Sequence, residues 1–308
     1  WQASGADQHK SGVSMRKYIE LPDGGAIELE GETLYDSWDV TTWECNGVLE
    51  RSARRSVKWV EFFEFTPAHW AEVKAQEARD FEAMSDKERE ERRLDNLRRA
   101  ARRAKTTCRR VIVTERFNEL LTLTYRENQE DRELCKRHFK EWVRRMKRAL
   151  PSFRYCASFE RQQRGAMHVH IATHKLPEHG RYKGVKIKAW QLGTKIWRDI
   201  VGGDNGMCYV GASTRHGGHR RSLSLAKMAA YVSKYILKDF EDHPEESNRY
   251  SRSNGVTVPK PERVTFRGIT DLDAINLCFE QGDGQTVHAL RYRPFGSIWF
   301  CLEDGPGG

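Results

Sequence analysis

Two histidines separated by one residue are the first feature of this sequence that could support chemistry: His168-Val169-His170. Alternate side chains of a β-strand point to the same side of a sheet, so both imidazoles would project together and Val169 would face the core. Two neighbouring imidazoles can bind a divalent cation. His174 would share their side, but four residues along a strand are about 13 Å, too far to share an ion with His168. Ordinary exposed histidines also produce so short a pattern. The prediction of a metal centre therefore needs a third candidate ligand nearby.

The segment before the histidines supplies a candidate for that ligand. Gln163-Arg164-Gly165 has the pattern of a three-residue hairpin loop with glycine in the left-handed conformation. Such a loop would pair Gln162 with Ala166, and therefore Glu160 with His168, with Cβ atoms about 5 Å apart. The sequence thus predicts a metal site made of Glu160 and the two histidines. A shift of one residue in the loop would turn Glu160 away and leave Gln162 as a weaker ligand.

A later segment, Tyr231-Val232-Ser233-Lys234-Tyr235, carries two phenols four residues apart. In a helix these positions are neighbours on one face, about 5–6 Å from each other. Tyrosine has an ordinary pKa of about 10, so its attack on a phosphodiester needs a cationic environment or a metal-polarised target. Lys227, Lys234 and Lys238 share the tyrosine face and would provide the first, and the histidine site could provide the second. Half-buried aromatic residues covered by lysine stems would produce the same pattern.

The elements that would position these residues follow the order β-α-β-β-α-β. Strand-like segments lie at 117–125, 154–162, 166–173 and 207–211, and a helix at about 187–200 precedes the last of them. The first two strands are separated by an amphipathic helix with apolar residues at helical spacing: Phe139, Trp142, Val143, Met146 and Leu150. This order is typical of the ferredoxin-like or RRM-like α+β fold, an antiparallel sheet with helices packed on one face and the other face left free. A further helix over 223–239 would carry the tyrosines.

The regions outside this core differ from it in predicted secondary structure and charge. Residues 1–66 and 243–308 are predicted to be β-rich accessory regions, with a hairpin turn at 22–25 and strands near 57–63, 262–267 and 285–302. Between them and the core, residues 67–110 form a charged helical connector that contains a capping box at 85–88. The predicted domains are therefore 1–66, 67–110, 111–242 and 243–308.

The second half of the connector is strongly basic. Acidic residues come first and a series of cations follows, an order that suits the dipole of a solvated helix. The alternative is an arm that contacts phosphates. The cations are Arg98, Arg99, Arg102, Arg103, Lys105, Arg109 and Arg110.

Composition restricts the classes of protein to consider. Lys and Arg number 53 against 44 Asp and Glu, a net charge of +9 that favours a polyanionic partner such as nucleic acid. The seven cysteines form no Cys-x-x-Cys pair, which argues against a disulfide framework and a cysteine zinc site. A nucleotide-hydrolysing phosphate loop is absent from the sequence. No signal peptide or membrane-spanning stretch is recognisable, so we expect a cytoplasmic protein.

In their order along the chain, these motifs resemble those of the HUH endonuclease superfamily, specifically the two-tyrosine rolling-circle replication initiators of single-stranded DNA phages and bacterial plasmids. Leu121-Thr122-Leu123-Thr124 is similar to the first motif of that family, Glu160 and 164–171 to the second, and 231–235 to the third. The resemblance covers about 112–240 and extends weakly through 249–255. Residues 1–107 and 260–308 resemble nothing that we recognise.

The resemblance implies that Glu160, His168 and His170 hold one Mg²⁺ or Mn²⁺ ion that polarises the scissile phosphate. Tyr231 or Tyr235 would attack phosphorus and stay joined to the 5′-phosphate, with Lys234 between them in the same catalytic motif. The freed 3′-OH would serve a polymerase, and after synthesis the other tyrosine would cleave the regenerated origin. The new 3′-OH would then close a circle by attacking the first phosphotyrosine. Because the covalent link conserves the bond energy, ATP is not needed, and a separate helicase of a bacterial host is implied.

The DNA partner would be single-stranded DNA or a hairpin at a replication origin. Basic loops at 181–188 and 215–221 either follow its phosphates or are simply solvated. Alternatives to a rolling-circle initiator are an HUH transposase or relaxase, a non-catalytic origin-binding DNA protein, and a mononuclear metallohydrolase. The residues predicted to bind DNA are Lys227, Lys238, Arg164, Arg215, Arg220 and Arg221.

Overall fold

The computed structural model describes residues 15–211, 223–238, 248–279, 285–293 and 297–304. Within these ranges the chain forms a six-stranded sheet, a five-stranded sheet and a separate two-stranded hairpin, together with six α-helices. No helix in the described ranges is long and apolar enough to cross a membrane.

The strands are β1 (Met15–Glu20), β2 (Ala26–Cys45), β3 (Val48–Phe65), β4 (Glu119–Tyr125), β5 (Tyr155–Arg161), β6 (Met167–Thr173), β7 (His179–Tyr182), β8 (Val185–Lys188), β9 (Gly206–Val210), β10 (Tyr250–Arg252), β11 (Glu262–Arg267), β12 (Gln285–Arg293) and β13 (Ser297–Asp304). The helices are α1 (Pro67–Ala83), α2 (Asp86–Thr114), α3 (Arg132–Ala149), α4 (Ala189–Val201), α5 (Leu225–Lys234) and α6 (Asp271–Phe279). A single 3-10 turn, Tyr235–Leu237, follows α5.

The five-stranded sheet has the strand order β10-β5-β6-β4-β9, and every neighbouring pair is antiparallel. Strands β4, β5, β6 and β9, with helices α3 and α4, form the β-α-β-β-α-β unit that the sequence predicts. The first and third strands of this unit, β4 and β6, lie side by side in the sheet. The predicted α+β class, with antiparallel sheets and β-rich regions at both ends, is confirmed. Strand β10 is an additional edge strand that the sequence did not predict.

One face of this sheet is covered by α3 and α4. Every second residue of β4 and β6 points into their core, including Leu121, Val169 and Ile171, which are fully buried. The amphipathic pattern of α3 places Trp142 in this core, where its indole N–H donates to the carbonyl oxygen of Gly193 at 3.0 Å. The polar residues that alternate with these apolar ones therefore point to the opposite face.

That opposite face is not left free, so this part of the prediction was wrong. Helices α2 and α5 cover one end of it, because the strands carry small apolar side chains there: Leu120, Cys156 and Ala172 pack in one core with residues of both helices. At the other end the strands carry Thr122, Glu160 and the two histidines instead. Packing of the helices against the apolar end leaves the polar end as a recess beside α5.

Helix α2 ends later than the predicted connector, and its last turn is buried. It continues four residues beyond residue 110, and Val111, Ile112 and Val113 are fully buried. Its start is as predicted, since Ser85 and Glu88 form the capping box. One face of the second half of α2 thus packs in the core between the two sheets, while the domain boundaries remain a prediction.

The accessory regions at the two ends of the chain form a single sheet. Its order is β1-β2-β3-β13-β12, and β11 also pairs with β2. The predicted hairpin turn before Ala26 is confirmed, since the N–H of Leu21 donates to the carbonyl oxygen of Gly25 at 2.8 Å. The second hairpin, between β2 and β3, turns at Asn46 and Gly47, both at positive φ. Helix α6, which packs on the face away from α2, was not predicted.

We predict that the contact between α2 and this sheet depends on Glu50. Its side chain is 1% exposed and accepts hydrogen bonds from Arg109 and Arg110. Glu50→Ala leaves the buried guanidinium of Arg109 without its counter-charge, so the free energy of unfolding in urea should fall by about 3–5 kcal/mol. Asp95→Ala, which removes an exposed pair with Arg99 on the same helix, should cost less than about 1 kcal/mol. Equal losses in the two variants would contradict the prediction.

Candidate active site

The β5–β6 hairpin positions the three predicted metal ligands, and its register is the predicted one. Gly165 adopts a positive φ of 90°, and the N–H of Gln162 donates to the carbonyl oxygen of Ala166 at 2.9 Å. Glu160 is consequently the direct partner of His168. Glycine is needed in this loop because a side chain is strained at such a φ.

Glu160, His168 and His170 form a group that could hold a metal ion, with their ligand atoms all within 4.8 Å of one another. Glu160 and His170 are buried, and His168 is half-buried. Glu160 Oε2 lies 2.8 Å from Nε2 of His170, and Thr122 Oγ1 lies 3.4 Å from Nδ1 of the same ring. Neighbours on both ring nitrogens hold the imidazole of His170 in one orientation.

The protonation states of this group suit a divalent cation. Burial disfavours the charged form of Glu160, but hydrogen bonds from His170 and Lys238 outweigh it and lower the pKa of the carboxyl to about 2. Burial, with a smaller contribution from His170, lowers the pKa of His168 to about 4. Burial also lowers the pKa of His170. At neutral pH the group therefore offers one carboxylate and two neutral imidazoles, the forms that bind metal.

The two tyrosines lie directly beside this group. The ring of Tyr235 stacks on His170, with centroids 4.0 Å apart and planes 10° from parallel. The ring of Tyr231 packs edge-on against His170 at 5.6 Å and against Tyr235 at 5.5 Å. The structure thus brings together two motifs that lie about sixty residues apart in the sequence.

Helix α5 ends earlier than the predicted 239, and this changes the setting of Tyr235. The α-helix stops at Lys234, and Tyr235 begins the 3-10 turn. Ser158 Oγ holds this end of the helix by donating to the carbonyl oxygen of Val232 at 2.6 Å. Burial, followed by a hydrogen bond with Tyr231, raises the pKa of Tyr235. The two phenols are therefore not equivalent: Tyr235 is buried and Tyr231 is half-buried.

The lysines around the tyrosines divide into distinct settings. Lys234 Nζ lies 4.3 Å from the ring centroid of Tyr231 and 4.6 Å from that of Tyr235, so it is shared by both rings. Lys238 Nζ donates to Glu160 Oε1 at 2.5 Å and so contacts the metal-ligand group. Lys227 is exposed on α5. The predicted DNA binding by Lys227 and Lys238 and the predicted catalytic role of Lys234 remain predictions.

A cleft of about 530 Å³ opens from His168 across the neighbouring strand ends. Arg164 lines it, together with three residues that the sequence reasoning missed: Arg126, Arg198 and Tyr209. Tyr209 is 48% exposed although it lies on a strand. The alternation of β9, with Cys208 buried and Tyr209 pointing outwards, is the signal that could have identified it.

Of the two predicted basic loops, the structure describes 181–188 but not 215–221. Arg215, Arg220 and Arg221 lie outside the described residues. The segment 181–188 was predicted to be a loop, but most of it belongs to the β7–β8 hairpin, because Lys183 and Gly184 adopt positive φ and reverse the chain. His174 lies outside the ligand group, and its ring packs against Phe117 at 4.9 Å.

Comparison with known proteins gives one family match, and it includes this site. A family model described as a replication-associated protein, of the ORF2 type, matches residues 118–240. This segment contains the metal-ligand group and both tyrosines. No curated protein and no solved structure matches the chain. The family match supports a replication-associated protein of the Rep type.

We predict that the chain binds one Mn²⁺ ion and that His168→Ala weakens this binding more than about tenfold, because loss of even an outer-shell partner of a ligand costs about 10- to 100-fold in affinity. Isothermal titration calorimetry measures the affinity without reference to activity. His174→Ala is the matched control, because this exposed histidine follows the same strand but lies outside the group. Unchanged Mn²⁺ affinity in His168→Ala would show that the three residues do not hold the ion.

Proposed function

We propose that this protein is a site-specific single-stranded DNA nickase and strand transferase that initiates rolling-circle replication through a 5′-phosphotyrosine intermediate. The observation that carries the proposal is the packing of Tyr231 and Tyr235 against His170, one of three residues that could hold a metal ion. Transesterification of a phosphodiester needs a nucleophile and a source of positive charge close together. The family match over residues 118–240 supports the same role.

Glu160, His168 and His170 would hold one Mg²⁺ or Mn²⁺ ion. When bound, this ion would supply the positive charge that polarises the scissile phosphate. The carboxylate oxygen suits either cation, and a set of three protein ligands leaves positions open for phosphate oxygens. Thr122 and Lys238 would orient two of these ligands, since each contacts one of them in the structure.

Tyr231 acts in the first cleavage in this proposal. Its phenol is the more exposed of the two, whereas burial raises the pKa of Tyr235. The Tyr231 oxygen attacks phosphorus and forms an O–P bond, the bond from phosphorus to the 3′-oxygen breaks, and the phenolic proton passes to that oxygen. Lys234, which lies close to both rings, stabilises negative charge on whichever phenol reacts. One phosphodiester replaces another, so the step needs no ATP.

The cleft beside His168 would hold the single strand next to the scissile phosphate. Arg126 and Arg164 line it and would contact phosphates, and the exposed ring of Tyr209 would stack on a base. Arg198 also lines it and is paired with Asp204. This arrangement combines a cationic groove with an aromatic platform, as single-strand binding requires.

The closest alternatives differ in what the tyrosines do. An HUH transposase or relaxase would use the same site on different DNA. A non-catalytic origin-binding protein or a mononuclear metallohydrolase would leave no protein–DNA bond. Formation of a covalent adduct therefore separates the proposed class from the last two.

The adduct is tested with Mn²⁺ and a pool of single-stranded oligonucleotides of random sequence, labelled at the 3′ end, on a denaturing gel. The label should migrate with the protein, because the tyrosine retains the 5′-phosphate of the 3′ fragment. Tyr231→Phe should lower the initial rate more than Tyr235→Phe, the double variant should give no adduct, and Tyr18→Phe should behave as wild type. An adduct that persists in the double variant would refute the proposal. So would an adduct that is seen only when the oligonucleotides are labelled at the 5′ end instead.

The single-strand cleft is tested separately by binding of an oligothymidylate, measured as fluorescence anisotropy. Tyr209→Ala should weaken binding roughly 5- to 150-fold, as expected for the loss of about 1–3 kcal/mol from one stacked base. Tyr209→Trp should retain the affinity, since indole stacks as well as phenol. Tyr35→Ala removes a tyrosine that is 80% exposed on the other sheet and should change nothing. Equal effects of Tyr209→Ala and Tyr35→Ala would exclude a specific role for the cleft.

A further inference from the structure

The basic half of α2 contains cations that the candidate active site does not use. Residues 96–114 contain no acidic residue. Arg109 and Arg110 are satisfied by Glu50, and Arg99 pairs with Asp95. The other members of the series include Arg102 and Lys105, for which the structure shows no ion pair among the described residues.

Strand β12 brings a further cation to the same place. Arg291 is exposed, and its guanidinium carbon is 5.9 Å from the ring centroid of Trp299, the ring that Arg109 of α2 also contacts. Lys105 is half-buried, and burial, followed by the charges of Arg291 and Arg109, lowers its pKa to about 8. Like charges that are brought together with partial loss of solvent repel each other. An anion from outside the chain would relieve this repulsion.

The shape of the basic surface favours an extended anion over a small one. From Arg102 to Lys105 the helix rises roughly 4.5 Å, close to the axial spacing of about 3.4 Å between successive phosphates on one strand of duplex DNA. Arg102 and Lys105, three residues apart, occupy neighbouring positions along this length. The aromatic rings beside it, Trp43 and Trp299, already contact Arg110 and Arg109. Cations are thus available to phosphates, while the rings are not free to stack on the bases of a single strand.

We propose that Arg102, Lys105 and Arg291, the α2–β12 cluster, bind the phosphate backbone of double-stranded DNA beside the strand that is nicked. The inference rests on the proposed function in taking DNA as the substrate, and it adds a second binding surface outside the active site. Helix α2 packs along α5, the helix that carries Tyr231. Duplex DNA held on α2 is therefore held at a constant position relative to the nucleophile.

The salt dependence of binding tests this surface without knowledge of the origin sequence. The probes are a mixed-sequence duplex about two helical turns long and an oligothymidylate of similar length. The test variant is the triple substitution Arg102→Ala, Lys105→Ala, Arg291→Ala. For binding to the duplex, the magnitude of its slope of log K against log salt should decrease by about 2 to 3, close to 0.9 for each phosphate that the variant no longer neutralises. The single variant Arg102→Ala, at an exposed helix position, should lower the slope by about 1. Binding of the oligothymidylate should not change.

A matched control removes three exposed cations from α3: Lys140→Ala, Lys147→Ala, Arg148→Ala. It has the same net charge as the test variant and should keep the wild-type slope on the duplex. An unchanged slope in the triple variant with an intact thermal unfolding transition, or equal falls in the test and control variants, would overturn the proposal. If the triple variant fails to fold, the slope of Arg102→Ala decides.

These outcomes are separable from the failure of the proposed function. A smaller duplex slope in the triple variant, together with absence of a tyrosine adduct in the wild type, would indicate a DNA-binding protein that does not nick. A normal adduct in the wild type, together with an unaltered duplex slope in the triple variant, would support the nickase and refute the proposed role of the α2–β12 cluster.

Discussion

The buried carboxylate of Glu160 is the group on which the candidate site depends. A carboxylate in this position would be costly without partners, and it has two: Nε2 of His170 and Nζ of Lys238, which occupy different oxygens. The first contact joins two strands of one hairpin, and the second joins the hairpin to the turn that follows the tyrosine helix. One ionised side chain therefore connects the metal-ligand group with the element that carries Tyr231 and Tyr235, and it orients His170 for the stacking of Tyr235.

The six-stranded sheet formed by the accessory regions contacts both helices, α2 and α5, on the other side of this site. The N–H of Ala226, in the first turn of α5, donates to Glu303 of β13 at 3.0 Å. The same face of that sheet packs on α2 through Trp43, Val48 and Cys301, and α2 in turn packs along α5. The tyrosine helix is thus held at its start by the six-stranded sheet and at its end by Ser158 of the five-stranded sheet. In the proposed reaction, a tyrosine on a helix held at both ends would lose little orientational freedom before it attacks.

The arrangement of charge relates these elements to the proposed chemistry. Acidic residues are placed where they hold basic ones in the core, as Glu50 holds Arg109 and Arg110. Other cations line the cleft beside His168 and the exposed side of α2. Part of the net charge of +9 therefore lies on surfaces that adjoin the tyrosine helix, where a polyanion would be guided towards the active site.

Sequence alone determined the features that depend on neighbouring residues. Gly165 set the hairpin register that pairs Glu160 with His168, Ser85 and Glu88 set the start of α2, and apolar spacing identified α3, because turns, caps and periodicity act within a few residues. Only the tertiary structure decided that the last turns of α2 are buried, that β13 pairs with β3, and that Tyr235 stacks on His170. These contacts join segments from about sixty to 250 residues apart, and which surfaces meet depends on the packing of the whole chain, which no local pattern records.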